Sequence, residues 1–143
     1  MSVLPLIEEE FVLPGKAKVE MRCIAILGDE SELAAQAAEC ANDQGRFWEF
    51  HDTLYANQAP DHNSGAFSSE NLKRFAEALA LDTVAFDSCL DSGKYASKVR
   101  KDTNAARQMG VNSTPTIFVN GREVTGSVDA LRAAILQELS SGS

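Results

Sequence analysis

The chain has 143 residues and a mass of 15.4 kDa, with 44% hydrophobic and 24% charged residues, the profile of one soluble globular domain whose core needs neither metal nor a dense disulfide framework. Thirteen basic against 21 acidic residues leave a net charge of −8, which argues against nucleic acid and against an anionic membrane surface, since both are bound through clustered Lys and Arg. No apolar run reaches the roughly 18 residues of a spanning helix, and MSVLPLIEEEF has neither the basic start nor the apolar stretch of a secretory signal, so the chain as encoded is expected in the cytoplasm.

Leu4, Ile7 and Phe11 share one face of a helix expected over Val3 to Val12, with Glu8, Glu9 and Glu10 as a solvated run and Pro14-Gly15 as its stop. Ala17 to Cys23 then alternates small or apolar with charged residues, the period of a half-buried strand, and runs into the apolar Ile24 to Leu27. After Gly28 an Ala-rich helix opens at Asp29 and reaches Asn42, with Leu33, Ala34, Ala37, Ala38 and Ala41 suited to close packing. Phe47, Phe50, Leu54 and Tyr55 stand at helical spacing in residues 47 to 58, and the Pro60 to Gly65 cluster reads as a surface loop. Ser68 caps a helix carrying Leu72, Phe75, Ala76 and Leu79. Asp82 starts a short helix to Leu90, Ser92-Gly93 breaks it, and a longer helix follows from about Lys94 to Met109, closed by Gly110.

The character changes after Gly110. Thr116 to Val119, Asn120-Gly121 and Arg122 to Val124 form strand, tight turn and strand, and Ser127 caps a last helix with Leu131, Ile135, Leu136 and Leu139 on one face before a frayed SSGS tail. Helix, strand, helical block, hairpin and helix make one α/β domain with a helical insertion.

Chemistry is sparse. Cys23, Cys40 and Cys89 lie far apart, so none forms a Cys-x-x-Cys pair or a zinc-ligand spacing, and neither a metal nor a cofactor is expected. His51 and Asp52 are consecutive on a helix and should point apart, which denies them the geometry of a dyad, so Trp48 and His51 read as part of an aromatic cluster.

The segments ESELAAQAAECANDQGRFWEFHDTLYANQ, FSSENLKRFAEALALD, FDSCLDSGKY and GVNSTPTIFVNGREVTG resemble the DsbA-like thiol:disulfide oxidoreductases of the thioredoxin superfamily, in consistent order over nearly the whole chain. The resemblance implies a truncated, helix-rich α/β thioredoxin-like fold as a single domain over residues 1–143, with residues 1–28 and 111–140 as the thioredoxin-like part and 29–110 as the helical insertion. The family's redox strand and Cys-x-x-Cys should stand immediately before the helix that begins at Val3, and this sequence has no such motif there.

Exchange by these proteins needs an exposed thiolate at a helix N-terminus and a second cysteine to resolve the mixed disulfide. The sequence therefore leads to the expectation of a redox-inactive binding or assembly module. The alternative is a thiol:disulfide oxidoreductase whose motif lies upstream of this start, or single-cysteine chemistry at Cys23, at the strand end that in the family lies on the redox side. Thr114-Pro115 resembles the family's cis-proline loop and would contact a peptide or protein partner. Cys40 and Cys89 match positions where the resemblance suggests cysteines. A bridge would close a loop of 49 residues, and in a reducing compartment two buried thiols are the favoured state. Family members are typically periplasmic or extracytoplasmic. The absent redox strand would leave two strand edges facing a gap, and a homodimer is expected to close it.

Overall fold

The computed structural model describes residues 3–61, 63–113, 115–125 and 127–141. The chain divides into two compact units, one from residues 1–21 with 113–143 and one from residues 22–112.

The larger unit is built around α2 (Asp29–Asn42), which packs against α3 (Phe47–Ala56), α4 (Ser69–Ala78), α5 (Thr83–Asp91) and α6 (Ala96–Gln108). Its small side chains permit this: Ala37 and Ala41 are fully buried, and Ala34, Ala38 and Cys40 nearly so. Beside these small residues Phe50 of α3 and Phe86 of α5 meet with ring centroids 5.4 Å apart. Phe75 of α4 completes the aromatic centre at 6.5 Å from Phe50, and Leu72, Ala76, Leu81 and Leu90 close around it.

Helix ends follow their sequence signals. Ser68 Oγ accepts from Asn71 N at 3.3 Å, and Asp82 Oδ1 accepts from Ala85 N at 3.1 Å, each satisfying a donor that the first turn leaves open. Gly28, before α2, has φ +106° and lies where the Asn63 side chain fills the space a Cβ would need, so any other residue there would be strained twice over. The Glu30 carboxylate accepts from Gly65 N at 2.5 Å and Phe67 N at 3.2 Å, tying the 57–68 loop to the start of α2.

In the smaller unit, α1 (Val3–Ile7) continues as a π-helical turn over Glu8–Val12, closed by Leu13 N donating to Glu8 O at 2.9 Å. The widened turn places Ile7 and Phe11 together against Leu131 and Ile135 of α7 (Val128–Ser141). Helix α7 runs on through Ser140 and Ser141, which the sequence reading assigned to a frayed tail. A hairpin of β1 (Ile117–Val119) and β2 (Arg122–Val124) covers the same core with Val119 and Val124. Its register pairs Ile117 with Val124, Phe118 with Glu123 and Val119 with Arg122. Asn120 and Gly121 turn it at φ 47° and 83°, the left-handed pair that a two-residue hairpin demands. Arg132 Nε bonds Glu10 Oε2 at 2.6 Å, so one of the three glutamates has a fixed partner.

The strand expected over Ala17 to Leu27 does not form. Residues 17–23 keep the alternation, with Ala17, Val19, Met21 and Cys23 half-buried and Lys18, Glu20 and Arg22 exposed. What is missing is a neighbouring strand, because the only sheet among the described residues is the two-stranded hairpin. Alternation records which side chains turn inward, whereas a strand also requires a partner backbone to take its hydrogen bonds.

The aromatic centre gives a direct test of this packing. Phe86→Ala is expected to cost about 3–5 kcal/mol in denaturant unfolding, whereas Val84→Ala, on the same helix but exposed, should stay within about 0.5 kcal/mol of the parent.

Candidate functional site

The three cysteines occupy three different environments. Cys40 lies in the last turn of α2 and Cys89 in the last turn of α5, and the two are joined by a disulfide with Cα atoms 5.9 Å apart. The helix packing that brings them together is reinforced by Gln44, whose Oε1 accepts from Asp82 N at 2.8 Å while its Nε2 donates to Asp82 O at 3.1 Å. This reciprocal clamp holds the α2–α3 turn against the start of α5. The bridge closes a 49-residue loop, which stabilises the fold by roughly 4 kcal/mol through the entropy it removes from the unfolded chain.

Around the bridge lies a surface cleft of about 310 Å³ lined by Cys40, Asp43, Gln44, Cys89 and Lys94 among others. Asp43 organises it. Its Oδ2 accepts from Lys94 Nζ at 2.7 Å, its Oδ1 accepts a short hydrogen bond from the Tyr95 hydroxyl, and Oδ2 stands 4.0 Å from Cys89 Sγ. The bonds from Lys94 and Tyr95 hold the Asp43 carboxyl below the usual carboxylate range, and the same partnership raises Lys94 and Tyr95.

Cys23 is free and half-buried, packed against Ala25, Ala35 and Val99 and against the edge of the aromatic core. Burial pushes its thiol up to about 12, and Glu39 and Asp102 add to the shift against the opposing pull of Lys98. A thiol held protonated is neither a nucleophile nor a leaving group at neutral pH.

The remaining expected site residues scatter. Pro115 is exposed just ahead of β1, and Thr114 lies outside the described residues, so the geometry of the Thr114-Pro115 bond does too. Against expectation, His51 and Asp52 do meet: Nδ1 and Oδ1 are 3.1 Å apart. His51 also packs against the Trp48 and Tyr55 rings, at 5.4 and 4.7 Å between centroids, and Asp52 is largely exposed. No group of three metal-ligating side chains, and no helix long and apolar enough to cross a membrane, occurs among the described residues.

A helical unit on α2, a hairpin flanked by two helices and a Pro just before β1 are the parts of a thioredoxin-like fold carrying an insertion. The thioredoxin family model matches residues 2–137, and the chain belongs to that family as a DsbA-like thiol:disulfide oxidoreductase relative. It is 32% identical over 142 residues to a probable disulfide bond formation protein D of Bacillus anthracis, covering 97% of this chain and 65% of that protein. It therefore spans just under two thirds of that relative's length. The crystal structure of oxidised BdbD from Bacillus subtilis superposes with a TM-score of 0.78 at 26% identity, over 96% of this chain and 76% of that one. A Na(+)/H(+) antiporter NhaA 3 of Salinispora tropica is 39% identical over 113 residues, which are 78% of this chain and 16% of the antiporter.

These findings overturn the redox-inactive module expected from the sequence. The relatives matched over nearly the whole chain are disulfide bond formation proteins, and this chain carries a disulfide of its own between Cys40 and Cys89. The inference failed because it took the absence of a vicinal pair from residues 1–143 as the absence of the chemistry.

Cys23 can be tested directly. Iodoacetamide at pH 7 should leave it unlabelled in the native protein and label it on denaturation; native labelling at the rate of a free thiol would contradict the burial. Because the folded-state value is raised, its contribution to stability is complete below pH 9.0 and should fade as pH rises from there towards about 12, read as a narrowing gap in unfolding free energy between the parent and Cys23→Ala.

Proposed function

We propose that this chain serves thiol:disulfide exchange, as the body of a disulfide oxidoreductase whose exchanging Cys-x-x-Cys lies in sequence N-terminal to Val3. The observation that carries this is the match to a probable disulfide bond formation protein D over 97% of this chain. The local geometry agrees with it. Cys23 is held protonated, and Cys40 and Cys89 are already bonded to each other, so no exposed thiol pair stands ready among the described residues. The helix beginning at Val3 is the one that, in the family's order, follows the redox motif. In the reaction a client's two thiols become a disulfide, and the two electrons they lose reduce the enzyme's own pair.

In this reading residues 1–28 and 111–140 form the thioredoxin-like part of a single domain, and 29–110 its helical insertion. The loop at Thr114 and Pro115 contacts the client backbone. The cross-link between Cys40 and Cys89 supports an oxidising compartment, in line with the family's extracytoplasmic habit, over the cytoplasm suggested by the first residues.

Two chains decide the matter: the 143 residues alone, and the same chain extended upstream to the next in-frame start. The extended chain should oxidise a dithiol peptide catalytically and at a higher turnover than the 143 residues alone. An upstream frame without Cys-x-x-Cys, or full turnover by the 143 residues alone, would overturn the assignment.

For the 143 residues by themselves we infer a homodimer. The smaller unit exposes Leu13 at 80%, Leu136 at 51% and Leu6 at 46%, apolar side chains whose cover by a second copy would support self-association. Sedimentation at micromolar concentration should give a dimer; a single 15.4 kDa species would exclude it.

A further inference from the structure

We propose that Asp43 shields the Cys40–Cys89 bridge from thiol exchange, acting as a charged guard at its more exposed cysteine, Cys89, so that client thiols react elsewhere in the protein. The proposal rests on the exchange function above and adds to it a determinant of which disulfide takes part.

Exchange begins when a thiolate attacks one sulfur of the bridge. Its electron pair forms the new S–S bond, the old bond breaks, and the departing sulfur leaves with the old bonding pair as a thiolate. Cys40 is 1% exposed, whereas Cys89 is half-buried and lines the cleft, so attack falls on Cys89 and Cys40 must leave. That departure is unfavourable. Cys40 sits among Ala37, Ala41, Phe50 and Phe86, where a thiolate loses its water. It also lies in the last turn of α2, where the helix dipole presents its negative end, and Cys89 lies in the same position on α5. An exchanging thiol is served by the opposite arrangement, a helix N-terminus with cationic neighbours.

Asp43 adds a barrier to approach. Its Oδ2 lies 4.0 Å from Cys89 Sγ, a bare contact because a bridged sulfur has no proton to donate. The bonds from Lys94 and Tyr95 keep the carboxylate ionised and fixed in place. They also engage Lys94, a cation lining the cleft, so it is not free to draw in an anionic thiolate.

The test reads the charge of the attacking reagent. The full chain is reduced with 3-mercaptopropionate, which carries a carboxylate, or with cysteamine, which carries an ammonium, and bridge opening is followed by alkylation and mass spectrometry. Asp43→Asn removes the charge, keeps the shape and leaves Lys94 unpaired. Reduction by 3-mercaptopropionate should accelerate about fivefold, the order of magnitude for removing one like charge a few ångströms away in water, and reduction by cysteamine less, because both attack as thiolates but only the former carries a second negative charge. Tyr95→Phe loses a hydrogen bond but no charge and should stay near the parent with both reagents. Equal rates in Asp43→Asn and parent would overturn the proposal. So would equal acceleration with both reagents, or a Tyr95→Phe rate matching Asp43→Asn, since each signals loosened packing instead of a removed charge. Client oxidation by the extended chain does not enter this readout, so failure here and failure of the exchange function remain separate results.

Discussion

Close approach of helices to α2 is the constraint from which the larger unit follows. A helix of mostly small side chains buries little area by itself, so its worth lies in what it lets its neighbours do. Because Ala37 and Ala41 occupy almost no space, Phe50, Phe75 and Phe86 from three different helices reach a common centre, and these rings supply much of the apolar area removed from water. A longer side chain at Ala37 would push an axis outward and open voids that no rotamer change could fill. The same closeness brings Cys40 within bonding distance of Cys89, so the cross-link is a consequence of the packing before it becomes a contributor to it.

Polar groups buried by that packing are met by partners. Glu39 is 8% exposed yet accepts from Lys98 Nζ at 3.0 Å, and Lys98 also reaches Asp102 at 3.0 Å, so a charge near the core is balanced by a cation with its own surface anchor. Thr103, 5% exposed, accepts from Ala25 N at 2.9 Å and thereby fixes the extended segment against α6. Cys23 sits beside this network. Its two nearest carboxylates make a thiolate more costly there than burial alone would, so the anchor that orders the segment also silences its only free thiol.

Much of this was legible in the sequence. The helices were marked by periodicity and by Ser68 and Asp82 as caps, and the hairpin by Asn-Gly, because these signals act within a few residues. What stayed hidden depends on contacts between distant residues. Nothing local to Gln44 announces its clamp on Asp82, thirty-eight positions away, and nothing near Asp43 indicates that Lys94 and Tyr95 will converge on it. The His51–Asp52 contact was missed for a different reason. Helical geometry separates consecutive Cβ atoms, but a short carboxylate and a ring can still bend towards each other when one of them faces solvent.

The segment over 17–27 shows where a local pattern stops being sufficient. Its alternation of half-buried and exposed side chains is that of a strand, while its backbone belongs to no ladder among the described residues. Side-chain burial is set by whatever lies on one face, but pairing is set by an edge, and the hairpin's strands are only three residues long. Such a ribbon is stable here because Val119 and Val124 rest on α7, not because of its own hydrogen bonds.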